Sequence, residues 1–222
     1  MVYTEQHPIF SYIKIFTDAI QNQLAVEIIK NGRDNVEIKE GHYFNTVDAL
    51  NHSINSILFE NLYSLSNRYK TRDLKISNGK DPILTSIWES DCIVDNMSNI
   101  GKGMMEKHSF EKGVKRENTF KFDSGNHLSR YIYPWGITQV NNGNHSIFSG
   151  MNKGEGYIYP NEVYDVSYLY SIYHFDGTYL VNRHTEERKE VFFEIGAIFE
   201  IGRILMLDYP NVFSETVREL VE

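Results

Sequence analysis

The spacing of apolar residues changes along the chain, and this change constrains the fold more than any other feature. In the first 65 residues, apolar positions recur every three or four residues, as on one face of an amphipathic helix. After Phe120 they fall in short runs separated by glycine, asparagine and proline, which is typical of strands and turns. A helical first part followed by a mixed second part predicts an α+β protein.

Two helices are predicted at the start of the chain. Pro8 occupies a first helical position, and an apolar stripe then runs from Ile9 to Leu24, before Asn31-Gly32 ends the helix. A second helix is predicted over residues 47–65. We expect both stripes to be buried and the two helices to pack together. Between residues 71 and 113 the periodicity is weak, so short elements joined by loops are expected.

The second part of the chain is predicted to form a small mixed sheet with helices. Strands are expected at residues 131–133, 137–140, 157–159 and 163–164, with a short helix over residues 146–153. A turn then enters a further strand near residue 178. A long helix is expected from about Glu186 to Asp208, with the charged run 184–189 as its start, and Pro210 stops it. A short terminal helix is predicted from Ser214.

No repeat or linker marks a domain boundary. We therefore expect a single domain over residues 1–222, with a helical N-terminal part at 1–70 and a mixed core part at 115–222. In this architecture the N-terminal helices pack on a small mixed sheet that carries a long C-terminal helix.

Charge and cysteine content exclude several classes of protein. A net charge of −8 at pH 7 argues against broad nucleic-acid binding, because such binding depends on neutralising phosphates. Cys92 is the only cysteine, so neither an intramolecular disulfide nor a zinc cluster of several cysteines can form. The first eight residues lack the features of a secretory signal, and no run approaches the ~20 apolar residues of a membrane span. A cytoplasmic location without membrane contact is expected.

Two copies of the tripeptide Gly-Asn-His, at residues 125–127 and 143–145, make residues 119–156 the most unusual stretch. At the second copy a predicted strand leads directly into a helix, where exposed N–H groups and the helix dipole favour an anion. Gly143 would let the backbone approach a phosphate, Ser146 would cap the helix or bind the ligand, and His145 would donate a hydrogen bond or move a proton. The same residues also fit a purely structural turn, because Asn-Gly is a common turn dipeptide.

Other polar side chains offer weaker candidates. Asp123, His127 and His145 carry oxygen and imidazole ligands suited to a divalent ion, as in a metal-dependent nuclease, although His127 also fits a hydrogen-bonded structural role. Asp165 and Asp176 are further candidate acids, yet Asp176-Gly177 is first a turn signature. Glutamates of the long helix are expected to be solvated or paired.

The stretch from residue 137 to 166 resembles the core of the ParB/sulfiredoxin-like superfamily. Its members have a strand, a Gly-x-His-Arg turn, a helix ending near a glycine and another strand, and Gly154-Glu155-Gly156 follows the predicted helix here. The resemblance implies that the turn binds the phosphates of a nucleotide. Members of the superfamily act as CTP-dependent DNA partitioning switches, ATP-using reductases, kinases or nucleases. Gly143 and His145 match the turn, while Ser146 stands where an arginine is usual; Arg130 and Lys153 are candidates to replace that cation.

The sequence thus predicts a bacterial or phage protein that binds a nucleotide, with Mg²⁺ as a candidate companion, or another phosphorylated ligand at residues 143–146. Hydrolysis or phosphoryl transfer by a phosphotransferase, phosphodiesterase or nuclease stays open. The candidate catalytic residues are His145, His127 and Asp123, and the candidate ligand-binding residues are Gly143, Asn144, Ser146, Asn126, Arg130 and Lys153. The alternative is a non-enzymatic, oligomeric inhibitor or regulator in a bacterial or phage conflict system, whose tyrosine-rich second half forms a protein interface.

Overall fold

The computed structural model describes residues 7–31, 67–87, 89–105 and 117–222, which form an α+β arrangement of helices and small sheets. The described α-helices are α1 (Pro8–Asn31), α2 (Ser90–Asn99), α3 (Asn144–Asn152), α4 (Leu169–Ile172), α5 (Phe193–Asp208) and α6 (Glu215–Val221). The described strands are β1 (Arg68–Lys70), β2 (Ile76–Ser77), β3 (Ile83–Leu84), β4 (Ser129–Tyr133), β5 (Ile137–Val140), β6 (Tyr157–Ile158), β7 (Glu162–Asp165), β8 (Tyr173–Phe175), β9 (Tyr179–Asn182) and β10 (Arg188–Glu190).

A five-stranded mixed sheet with the order β1-β7-β4-β5-β3 forms the centre of the described structure. β4 and β5 form an antiparallel hairpin, whereas β4 runs parallel to β7 and β5 runs parallel to β3. All nine residues of β4 and β5 except Arg130 are buried. Burial on both faces explains why these strands read as apolar and aromatic runs. The strands predicted at residues 131–133 and 137–140 are confirmed.

The first helix packs on this sheet as its apolar stripe predicts. Phe10, Ile13 and Ile20 are buried in a core cluster that also contains residues of the central sheet and of α5. Gly136, in the β4–β5 turn, has a φ of +70°, and an added Cβ would lie only 2.5 Å from the ring of Phe10. The turn therefore needs glycine both for its conformation and for the close approach of α1. The second predicted helix, over residues 47–65, lies outside the described residues.

The region before α5 differs from the prediction of a helix starting near Glu186. Glu186 has a left-handed φ of 60°, and the Asn182 side chain accepts hydrogen bonds from the N–H groups of His184 and Thr185. These contacts make the charged run the turn between β9 and β10, and β8, β9 and β10 form a separate antiparallel sheet. Helix α5 starts at Phe193 instead, because residues 188–190 form strand β10 and pair with β9.

Two smaller predictions also need correction. The short helix α3 begins at Asn144, two residues earlier than residue 146, because Gly143 serves as its N-cap. Residues 68–70, predicted within the helical part, form the edge strand β1. The middle region contains the two-residue strands β2 and β3 and the ten-residue helix α2, which agrees with the prediction of short elements joined by loops. The prediction of one domain over the whole chain stays a prediction.

The last elements agree with the sequence. Helix α5 ends at Asp208, before Pro210, and Ser214 caps α6 by accepting a hydrogen bond from the N–H of Val217. Asp176 Oδ1 accepts hydrogen bonds from the N–H groups of Thr178 and Tyr179, so this aspartate forms the predicted turn. No helix in the described ranges has both the length and the apolar character needed to cross a membrane.

Candidate functional site

The two Gly-Asn-His turns lie side by side in the structure. The Asn142 side chain donates a hydrogen bond to Asn126 Oδ1 at 3.1 Å, and the His127 ring lies 2.9 Å from Ser146 Oγ. The β4–β5 hairpin causes this meeting, because Asn126 precedes one of its strands and Asn142 follows the other. Asn126, His127 and Ser146 therefore lie close together at one end of the β4–β5 hairpin.

His127 is buried between the two turns and has a structural role there. Only 3% of its surface is exposed, and its ring stacks on Phe120 with ring centroids 5.1 Å apart. Nδ1 accepts a hydrogen bond from the N–H of Asp123, so the neutral ring carries its proton on Nε2 and donates it to Ser146 Oγ. Burial lowers the pKa of His127 from its ordinary value, and Asp123 opposes this shift. The imidazole is thus held neutral and forms hydrogen bonds with residues of both turns.

Ser146 continues the same chain of hydrogen bonds. Its hydroxyl accepts from His127 and donates to the carbonyl oxygen of Gly143 at 2.9 Å. Gly143 itself has a φ of +79°, and a Cβ at this position would lie 2.4 Å from His127 Cδ2. The close approach that requires glycine here is therefore made by the protein's own histidine. The Ser146 hydroxyl supports the turn from within the protein.

Asn144 joins the ends of two parallel strands. Its Oδ1 accepts a hydrogen bond of 2.7 Å from the N–H of Ser86, two residues after β3, and the side chain is 4% exposed. β3 and β5 run parallel, so their carboxyl ends share one edge of the sheet, and α3 starts directly from that edge. The crevice outside the carboxyl ends of parallel strands is where open α/β sheets bind ligands.

His145 lies in the first turn of α3 and is 7% exposed. Burial lowers its pKa, while the nearby carboxylate of Glu89 raises it. Burial likewise raises the pKa of the Cys92 thiol, which donates a hydrogen bond to Glu89 at 3.3 Å. A thiol held protonated in this way is a poor nucleophile. The imidazole of His145 is therefore the titratable group of interest at this edge of the sheet.

Of the two cations proposed to replace the missing arginine, Arg130 is the one beside the turn. Its Nε lies 3.4 Å from Glu162, and the amide of Asn141, oriented with its oxygen toward the guanidinium, accepts from Arg130 at 3.2 Å. Asn141 directly follows β5 and precedes the turn by one residue. Lys153 caps the opposite end of α3, where its side chain packs against Gly101. Lys153 and the turn are thus separated by the length of the helix.

The metal hypothesis does not fit the geometry. Within the described ranges, no three side chains of histidine, cysteine, aspartate or glutamate come together in a way that would hold a metal ion. Asp123 is exposed, and its Oδ1 accepts a hydrogen bond from the N–H of Gly125, which closes the turn before His127. The prediction that Asp123, His127 and His145 bind a divalent ion is therefore wrong. These residues share a region of the fold but do not form a cation site.

A protein-family model matches residues 2–209 of the chain. The chain belongs to the DUF6710 family. This family is described as one of unknown function, and the match includes every residue of the site. No curated protein and no solved structure matches the chain.

Three contributors to this site were missed in the sequence. Ser86 and Glu89 follow β3, more than fifty residues before the turn, and Glu162 comes from β7. Strand β3 has only two residues, too few to show a pattern. A polar Thr85-Ser86 pair directly after a short apolar run was the one available signal for the end of a strand.

Proposed function

We propose that this chain binds a nucleotide or another phosphorylated ligand at the turn between β5 and α3, within a ParB/sulfiredoxin-like core. The observation that carries the proposal is the junction itself: a strand, a left-handed glycine and a helix start beside the end of the parallel strand β3. The first N–H groups of a helix have no acceptors within the helix, and its dipole adds positive potential there. A phosphate group suits this environment.

Arg130 supplies the positive charge that the usual arginine would provide. It reaches the start of the turn through Asn141, and Glu162 holds its other side. Burial lowers the pKa of His145, so its imidazole is neutral at pH 7 and acts toward a phosphate as a hydrogen-bonding group rather than as a cation. The proposal is one of binding, since His127 and Ser146, two candidates for further chemistry, are engaged in holding the turn.

Isothermal titration with ATP, CTP and inorganic pyrophosphate, each with and without Mg²⁺, tests the proposal. We expect at least one of these probes to bind the wild-type protein, with an affinity that falls as salt is added. Arg130→Gln should weaken binding by roughly 10- to 100-fold, the range of a lost charge-assisted hydrogen bond. Lys153→Gln is the matched control, because it removes a positive charge from the far end of the same helix and should leave binding unchanged.

A second variant separates binding from folding. Arg130 is half-buried, so its removal also affects stability, whereas Asn141 is exposed. Asn141→Asp places a carboxylate next to the guanidinium, which should preserve the melting temperature while competing with the phosphate. The proposal fails if no probe binds the wild-type protein at millimolar concentration, or if Arg130→Gln and Lys153→Gln behave alike.

A second candidate function, an oligomeric interaction protein, rests on the outer face of α1. Tyr12, Ile15, Val26 and Ile29 are 51–61% exposed, and Ala19 and Asn22 between them are exposed as well. These six positions alternate spacings of three and four, which is the pattern of a coiled-coil seam. In an antiparallel pair of such helices Tyr12 would face Ile29, and Ile15 would face Val26, so a second copy fits the seam. Most tyrosines of the second half, by contrast, are buried or half-buried.

Sedimentation velocity distinguishes this second function from the first. We expect the wild-type protein to sediment as a dimer at micromolar concentration and Ile15→Glu to sediment as a monomer. Ser11→Glu, at an exposed position beside the stripe, is the control and should remain dimeric. A wild-type monomer at all concentrations would refute this candidate and leave phosphate binding untouched.

A further inference from the structure

A cavity of about 510 Å³ lies on another part of the molecule, between the start of α1 and the chain that joins α5 to α6. Its volume is within the range of small-molecule sites, about 300–1,000 Å³. None of its lining residues belongs to the turn between β5 and α3. The lining includes Phe10, Leu74, Tyr131, Asp208, Tyr209 and Val212.

Tyr131 of β4 is the unusual member of this lining. It is 3% exposed, and no described residue forms a hydrogen bond with its hydroxyl. Burial and the nearby carboxylate of Asp81 raise its pKa far above the ordinary value, so the hydroxyl stays protonated. Buried tyrosines normally have a hydrogen-bond partner for this group. The hydroxyl of Tyr131 is therefore available to a molecule that enters the cavity.

The charge of the cavity comes from Asp208. It is the only carboxylic acid of a lining that holds no lysine or arginine, and it is exposed at the end of α5. Tyr209, next to it, exposes 59% of its surface, so a carboxylate and an aromatic ring occupy neighbouring positions. Both groups attract a cation. Arg218 donates a hydrogen bond to Asn211 at 3.4 Å but does not line the cavity.

The remaining wall is apolar. Phe10 and Leu74 are buried core residues that also face the cavity, and Val212 packs against the same core. An apolar wall with a few convergent polar groups is the usual composition of a small-molecule site.

We propose that this cavity binds a small arylalkyl amine, with its ammonium group at Asp208 and Tyr209, its ring against Phe10 and Leu74, and a polar substituent on the ring at the Tyr131 hydroxyl. This site is separate from the phosphate site, and either can exist without the other.

Three matched probes test each part of the proposal on the full chain by isothermal titration and ligand-observed NMR. Tyramine carries both the ammonium and a ring hydroxyl, phenethylamine lacks the hydroxyl, and 3-(4-hydroxyphenyl)propionate replaces the ammonium with a carboxylate. We expect tyramine to bind most tightly, phenethylamine to bind more weakly, and the propionate not to bind. Asp208→Asn should weaken tyramine by roughly 10-fold or more. Asp91→Asn, an exposed carboxylate on α2, is the control and should have no effect.

Tyr131→Phe provides the sharpest outcome. Because its hydroxyl has no partner among the described residues, its removal should leave the fold intact. Tyramine should then bind about 3- to 10-fold more weakly, whereas phenethylamine should bind as before. The proposal is overturned if tyramine does not bind, if the propionate binds as well as tyramine, or if Tyr131→Phe and Asp208→Asn leave the affinity for tyramine unchanged.

Discussion

Replacing Gly143 with alanine tests whether the contact between this glycine and His127 holds the two turns together. The backbone at Gly143 has a φ of +79°, a conformation that costs an alanine about 1–2 kcal/mol. The added Cβ would also lie 2.4 Å from His127 Cδ2, well inside the 3.4–4 Å of an ordinary contact. Overpacking of a buried site costs about 1–3 kcal/mol more. We therefore expect Gly143→Ala to lower the free energy of unfolding by about 2–5 kcal/mol.

Gly103 offers a matched control for the backbone cost. Its φ is +80°, and nothing lies within 4 Å of a Cβ added there. Gly103→Ala should therefore cost only the conformational part, about 1–2 kcal/mol. Urea unfolding followed by circular dichroism gives both values, provided that the m-value stays constant.

A double-mutant cycle shows whether His127 is the cause of the extra cost. In a His127→Ala background the ring is absent, so Gly143→Ala should cost no more than Gly103→Ala does. Equal costs for the two glycines in the wild-type background would refute the reasoning, since the ring would then move aside freely. An undiminished cost of Gly143→Ala in the His127→Ala background would refute it too.

Two further changes concern the same turns. Folding lowers the pKa of His127, so as the pH falls the unfolded chain takes up the imidazole proton before the folded protein does. The contribution of His127 to the free energy of unfolding should therefore be fully present above the ordinary pKa of 6.5 and should decrease as the pH drops below it. Urea titrations between pH 5 and 8 should show that the free energy of unfolding depends less on pH in His127→Gln than in the wild-type protein. An unchanged pH dependence would contradict the lowered pKa of His127. Asn144→Ala leaves the N–H of Ser86 without its acceptor and should cost about 1–3 kcal/mol in the same assay. Asn142→Ala, at an exposed position, should cost less than about 0.5 kcal/mol, and equal losses would argue against the Ser86 contact.

Local patterns predicted the elements whose residues interact within a short stretch of chain. Helix α1 and the β4–β5 hairpin follow directly from apolar spacing and turn residues. The convergence of Asn126 and Asn142 follows in turn from the hairpin. In these cases the sequence neighbours are also the spatial neighbours, so the pattern carries the structural information.

The elements that the sequence did not predict depend on contacts between residues that are distant in the chain. The run at residues 184–189 has the composition of a helix start, yet pairing of β9 with β10 and a left-handed Glu186 turn it into a hairpin. Helix α2 is rich in aspartate, asparagine and serine, which favour turns, and it buries only Ile93 completely. The roles of Asn144 and His145 depend on Ser86 and Glu89, which reach the turn only through the parallel pairing of β3 with β5.

The order of strands in the central sheet also sets how the molecule can fold. β1 and β3 belong to the same short stretch of chain, residues 68–84, yet they occupy opposite edges of the sheet. Among the five described strands of this sheet, only β4 and β5 pair with a neighbour in sequence. Both edges close through contacts between distant residues, such as Tyr69 with Val163 and Ile83 with Thr138. Closing such long loops costs entropy before any contact compensates for it, so proteins with this topology fold slowly. We therefore expect the β4–β5 hairpin to form first during folding and the two edges of the sheet to be added last.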